Sequence, residues 1–200
     1  YYSGAHDNAA VVDALGEKFA ASQREGYRME PVDLRDLEGV LRKMYQLSLE
    51  IFAHNAFYSD ITWDEFAALY EGSERLLDGR LVSWLYAPSG DIVGFAFGIP
   101  DYADAVRAMR GETGVLAKLR FATAKKPTRT LVKTVGILPA HRGKHLLSTL
   151  YYSQAQAALA GGYRTGVVTL MAADNLSHLG TKHLQTVMRE YALYARAVAA

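Results

Sequence analysis

The chain contains no cysteine, so it has neither a disulfide framework nor a thiol nucleophile. It also lacks an excess of charge of either sign. Against 22 Lys and Arg stand 21 Asp and Glu, a net of +1, which argues against a nucleic-acid binder. No apolar run reaches membrane-spanning length and no secretory signal is visible, so a cytoplasmic protein is expected. The opening Tyr1-Tyr2 has no methionine, which weakens what the missing signal says about location. There is no Gly-x-Ser-x-Gly elbow, no Walker loop and no dinucleotide glycine fingerprint. Of the histidines, His141 and His145 are four apart and His178 and His183 five apart. Only the first pair has ligand spacing and it has no third ligand nearby, so neither a metal nor a redox cofactor is expected.

What is present is apolar bulk: half of the 200 residues are hydrophobic, enough for one sizeable core in a single domain. The most specific segment is Thr130 to Leu150. Leu131 to Leu138 is apolar and rich in β-branched residues, as in a buried strand. Pro139 ends it. Arg142, Gly143, Lys144 and His145 follow, and then Leu146, Leu147, Leu150 and Tyr151 recur at helical spacing up to Gly161-Gly162. A helix that begins among cations has its unpaired N–H groups and positive dipole end on the same side as added positive charge. A bound anion is the natural compensation.

Elsewhere, Asn8 is read as the cap of a helix carrying Val11, Val12, Leu15 and Phe19 on one face and ending at Gly26. A short strand is expected over Tyr27 to Val32. A longer helix follows from Asp33, with Leu34, Leu37, Leu41, Met44 and Ile51 on its inner face. Thr62-Trp-Asp-Glu65 reads as a capping box. Leu81 to Ala87 and Ile92 to Ile99 read as a hairpin around Pro88-Ser-Gly-Asp91, and Asp101 starts a helix running to Gly111. The alternation from Val187 to Tyr194 predicts a strand with Tyr191 and Tyr194 on opposite faces. Residues 1–27 are taken as an N-terminal helical extension and 28–200 as the main domain.

The strand, Pro139, Arg142-Gly143-Lys144 and the apolar helix resemble the acyl-CoA-binding motif of the GNAT superfamily of N-acyltransferases. With the hairpin and the segment Tyr163 to Met171, about residues 28 to 198 can be laid on that fold. The resemblance implies a mixed α/β fold with a mostly antiparallel central sheet flanked by helices. It implies transfer of an acyl group, acetyl in the first instance, from acyl-CoA to an amine of a small molecule or peptide by direct attack. By the same resemblance, Val135, Gly136 and Ile137 pair with the pantetheine arm. Arg142, Gly143, Lys144, His145, Leu146 and Leu147 form the phosphate turn, and Asn175 lies on the cofactor side. Two positions depart from the pattern: small residues are usual where His145 and Leu147 stand. The family's tyrosine acid would fall at Lys182, leaving Tyr191 or Tyr194 as candidate acids. Glu190 is a candidate base through water. His54, in the aromatic stretch Phe52 to Tyr58, is a candidate base or acceptor contact because its ordinary pKa lies near working pH. Lys125-Lys126-Pro-Thr-Arg129 reads either as a solvated loop or as a contact for the 3′-phosphate of CoA or for an acidic carrier. Asp101, Tyr102 and Asp104 read as helix-capping groups or amine contacts. Residues up to Pro127 form an insertion that could cover the active site. Two alternatives stand beside the main reading: an enzyme drawing its acyl group from an acyl carrier protein, and a non-catalytic binding domain of the same fold. A monomer or homodimer is expected, with no nucleic-acid or membrane partner.

Overall fold

The computed structural model describes residues 1–55, 58–171, 182–192 and 194. Its elements are β1 (Tyr2–Asp7), α1 (Asn8–Arg24), β2 (Arg28–Pro31), α2 (Leu37–Ile51), α3 (Trp63–Ala68), β3 (Val82–Tyr86), β4 (Ile92–Pro100), α4 (Ala103–Ala108), α5 (Val115–Thr123), β5 (Arg129–Ile137), α6 (Leu146–Ala160), β6 (Thr165–Met171) and β7 (Thr186–Glu190). The strands form one sheet in the order β2-β3-β4-β5-β6-β1-β7. Every pairing is antiparallel except β5 with β6.

The hairpin forms where its turn chemistry asks for it. Ala87 N–H bonds the Asp91 carbonyl at 2.9 Å, and Gly90 takes φ +92°, a conformation that costs glycine little. Both strands are buried over most of their length, and period-two alternation sends successive side chains to opposite layers. Trp84, Phe95 and Phe97 meet Val40, Leu41, Met44, Leu47 and Ile51 of α2. Leu85, Val93 and Ala96 meet Leu146 and Leu150 of α6. Two helical layers thus enclose the sheet, α2 and α3 on one face, α6 and α1 on the other. α1 lies along α6 through the stacked rings of Phe19 and Tyr152, 4.3 Å apart.

The capping box forms as expected, with Glu65 N–H on Thr62 Oγ1 at 3.3 Å and Thr62 N–H on Glu65 Oε2 at 2.7 Å. The helix expected from Asp33 is split: Asp33 caps a short 3-10 turn and Asp36 then caps α2. At the first helix the cap moves by one residue. Asp7, not Asn8, accepts from the N–H groups of Ala9 and Ala10, while Asn8 is buried and its Nδ2 donates to the Tyr163 carbonyl at 3.1 Å.

The first 27 residues contribute more than a helix. β1 lies inside the sheet, antiparallel to β6 on one side and to β7 on the other. Its sequence, Tyr-Ser-Gly-Ala-His-Asp, has no apolar alternation to announce a buried strand. Strands pair with it on both sides over Tyr2 to Ala5 and on the β6 side at His6, and burial takes in Ser3 and His6. β7 forms only over Thr186–Glu190, short of the strand expected to Tyr194, so Tyr191 and Tyr194 lie beyond it; it is at the sheet edge with all five residues exposed.

Candidate functional site

The site starts at a fork. β5 and β6 pair from Arg129↔Thr165 to Val132↔Val168. β5 then continues to Ile137 and β6 to Met171 without pairing to each other. A bulge prepares the split. In the β4–β5 register Phe97 faces Thr134 while Gly98 faces Val132, so Lys133 is the extra residue, and an extra residue bends and twists its strand. Thr169 Oγ1 donates to the Val132 carbonyl at 3.1 Å and closes the crotch of the fork. Beyond it, β5 keeps β4 on one edge as far as Gly94↔Ile137. The other edge, through Val135, Gly136 and Ile137, is left without β6 as partner, and backbone groups so placed can pair with an extended ligand.

β5 leads through a 3-10 turn, Pro139–His141, to the glycine turn and α6. Gly143 has φ +83° and His145 φ +57°. The cations expected to open the helix therefore precede it, and α6 starts at Leu146 with His145 as its N-cap. His145 caps without a side-chain hydrogen bond, and no acidic residue lies in the first turn. A non-glycine residue in the left-handed region is strained. The backbone keeps the conformation the glycine pattern requires, although the glycine is absent. A turn with left-handed residues gathers N–H groups into a concavity suited to an anion.

The residues of this turn do different work. Arg142 donates from Nη2 to the Ile51 carbonyl at 2.6 Å and from Nε to the Ile137 carbonyl at 3.3 Å. It ties the C-terminal end of α2 to the end of β5, where a cation also meets the negative end of the helix dipole. Lys144 Nζ lies 3.2 Å from Tyr27 Oη, which is itself 3.1 Å from His141 Nδ1. Gly143 is open, with nothing within 4 Å of where a Cβ would stand. Leu147 is a packing residue, partly buried against clusters on both sides of its helix start, and Leu146 is fully buried.

The α2 end of the site is close-packed. A Cβ on Gly136 would meet Ile51 at 2.7 Å and Phe52 at 3.2 Å, so only glycine lets α2 lie this near β5. His54 is in the exposed turn that follows Phe52.

Sequence reasoning missed Lys133. On the α2–α3 side of the sheet its Nζ sits 4.2 Å from the Tyr70 ring centroid and 2.7 Å from Tyr70 Oη, and 5.4 Å from the ring centroid of Phe97. Desolvation holds the Lys133 ammonium below its usual pKa and pushes the Tyr70 phenol up to about 12. The one available signal was a lysine breaking the apolar run Leu131 to Leu138.

Other candidates are not brought here. β7 stands three strands from β5, with β6 and β1 between, about 14 Å at ordinary strand spacing. Glu190 ends β7 opposite Tyr2, Tyr191 follows it, and Tyr194 is 95% exposed. Asn175 lies outside the described residues. Lys125, Lys126 and Arg129 lie at the start of β5, about 30 Å along the strand from the glycine turn. Arg129 is paired with Asp101 at 2.7 Å. Asp101 accepts from Ala103 N–H at 2.9 Å, the capping role foreseen for it, whereas Asp104 forms an ion pair with Arg107 instead of a cap. The insertion leaves and rejoins the sheet at this same end, where Pro100 faces Thr130.

Known structures share the fold. A GCN5-related N-acetyltransferase from Sphaerobacter thermophilus superposes with a TM-score of 0.53 at 16% identity, over 82% of this chain and 42% of that one. L-PGS from Bacillus licheniformis gives 0.52 at 12%, over 92% and 52%. A GCN5-related glucosamine N-acetyltransferase region of a fungal multi-domain GH3 β-N-acetylglucosaminidase gives 0.56 at 10%, over 94% and 20%. No family profile and no curated protein sequence matches. The fold is GNAT-like: a mixed, mostly antiparallel sheet flanked by helices. Identity to these neighbours is only 10 to 16%, and the chain spans about half or less of their length.

Proposed function

We propose that the protein is an N-acyltransferase that moves an acyl group, acetyl in the first instance, from acyl-CoA to the amine of a small molecule or peptide. The observation that carries this reading is the fork: a strand edge free of β6 that runs into an uncapped, positively charged helix start. Val135, Gly136 and Ile137 would pair with the pantetheine arm through their main-chain groups. The N–H groups of the turn from Gly143 to Leu147, with Lys144 and His145, would hold the pyrophosphate. Arg142 acts differently from a phosphate ligand: it fixes the turn to α2 and β5, and so sets the width of the site. When bound, the thioester supplies the activated acyl carbon.

The chain's own residues supply position and a proton acceptor. Amide formation requires that the amine lose a proton as the new C–N bond forms and the C–S bond breaks. Lys133, whose ammonium is destabilised by desolvation, would accept that proton while CoA leaves as the thiolate, with the Tyr70 hydroxyl orienting its Nζ. His54 would contact the acceptor from the turn after α2. Holding both reactants at one fork accounts for much of the rate expected of direct transfer.

Calorimetric titration with acetyl-CoA tests the reading, using the wild type and Lys144→Glu, a charge reversal at an exposed residue. Micromolar binding that weakens by about tenfold or more in the variant is expected. No binding by the wild type overturns the CoA-dependent reading, and equal binding by both proteins places CoA elsewhere.

A further inference from the structure

The most apolar exposed surface among the described residues lies on the insertion, away from the fork. On α5, Val115 is 86% exposed and Leu116 and Leu119 are each 57% exposed. At helical spacing these three and Ala122 lie within an arc of about 120°. Lys118 borders the arc on one side and Arg120 on the other. The inner side of the helix is already satisfied: Ala117 is fully buried and Phe121 packs on Tyr102, ring centroids 5.6 Å apart. The outward face is thus a second apolar face on a helix whose first face is in use.

The charge of the insertion is as unusual as its surface. Residues 101–127 hold six Lys and Arg against three Asp and Glu, a net of +3, whereas the whole chain carries +1. The remainder therefore carries −2; within the insertion Arg107 pairs with Asp104 and Arg120 with Glu112, so its other cations are Arg110, Lys118, Lys125 and Lys126. Lys125 and Lys126, directly beyond α5, are exposed.

We propose that the outer face of α5 docks on an anionic lipid bilayer. A short convex helix with leucines outward and cations on both flanks can sink its apolar residues to the acyl boundary while the cations reach the headgroups. Shape favours this partner over a protein. A nine-residue helix is about 13 Å long, and its one face is small beside the roughly 1,200–2,000 Å² of a standard protein interface. A fluid headgroup layer needs no such area or complementary groove. The docking is peripheral, for no helix among the described residues is long and apolar enough to cross a membrane.

Cosedimentation of the full chain tests this, with vesicles of phosphatidylcholine alone and of phosphatidylcholine with one third phosphatidylglycerol. The wild type is expected to pellet with the anionic vesicles, to be released by high salt, and to bind neutral vesicles weakly. Leu116→Glu/Leu119→Glu is expected to bind the anionic vesicles about tenfold less or weaker still while melting at the wild-type temperature, since both side chains already face water. Absence of wild-type pelleting overturns the proposal, as does undiminished pelleting of the double variant. A dimeric wild type that the double variant turns monomeric also overturns it, by assigning the face to a second copy of the chain.

Discussion

His145 and Leu147 occupy the two positions where the glycine-turn pattern asks for small residues, and the structure separates their roles. His145 departs at the level of its backbone, holding φ +57° with an exposed side chain. His145→Gly is expected to stabilise the fold by about 0.5–1 kcal/mol, because glycine adopts this conformation without a Cβ penalty. Leu147 departs at the level of packing, and Leu147→Gly is expected to cost about 2–4 kcal/mol through lost burial and a flexible helix start. Urea unfolding of the two variants checks both signs. Equal effects would show that the two positions do not differ as described. The residue types were legible in the chain, but the left-handed backbone at 145 was not, since nothing in a histidine announces it.

At the scale of the element, β1 shows how a segment can be buried without an apolar sequence. His6, paired with Gly166 of β6, is 5% exposed, and its Nδ1 has no hydrogen-bond partner among the described residues. Burial holds its pKa below the ordinary 6.5, outweighing the opposing pull of Asn8 and Asp7. The unfolded chain therefore binds the proton more readily than the folded one. This contribution to stability is intact above pH 6.5 and declines as pH falls below it. Unfolding free energies measured at pH 7.5 and 5.5 should fall more steeply for the wild type than for His6→Gln, and identical slopes would remove His6 as the cause. Other elements were legible because their signals are local. The capping box at Thr62, the turn before Asp91 and the apolar stripe of α2 each lie within a few residues and act through adjacent backbone or one helix face.

At the scale of the molecule, the site is assembled from parts far apart in the chain. Lys133 and Tyr70 are 63 residues apart and join across the face of the sheet. If Lys133 takes the acceptor's proton, kcat/KM for acetyl transfer should rise with pH as its ammonium titrates below the ordinary lysine range. Lys133→Met should lose that limb and about tenfold or more in kcat. Tyr70→Phe should keep the limb and shift it, because the bond to Nζ is lost while the ring remains. A Lys133→Met profile that matches the wild type would assign the proton to another group.

The sequence by itself determined the strand and turn between Thr130 and Leu150, the central hairpin and the capping box at Thr62. The chemistry that forms each of these is local: periodicity, turn residues and capping groups lie close together in the chain. Only the tertiary structure decided that Tyr2–Asp7 would lie inside the sheet, that Arg142 would bind two carbonyls, and that Lys133 would meet Tyr70 beside the fork. These depend on which surfaces meet, and a carbonyl of Ile51 or a phenol of Tyr70 becomes a partner only after the core between α2 and the sheet has formed.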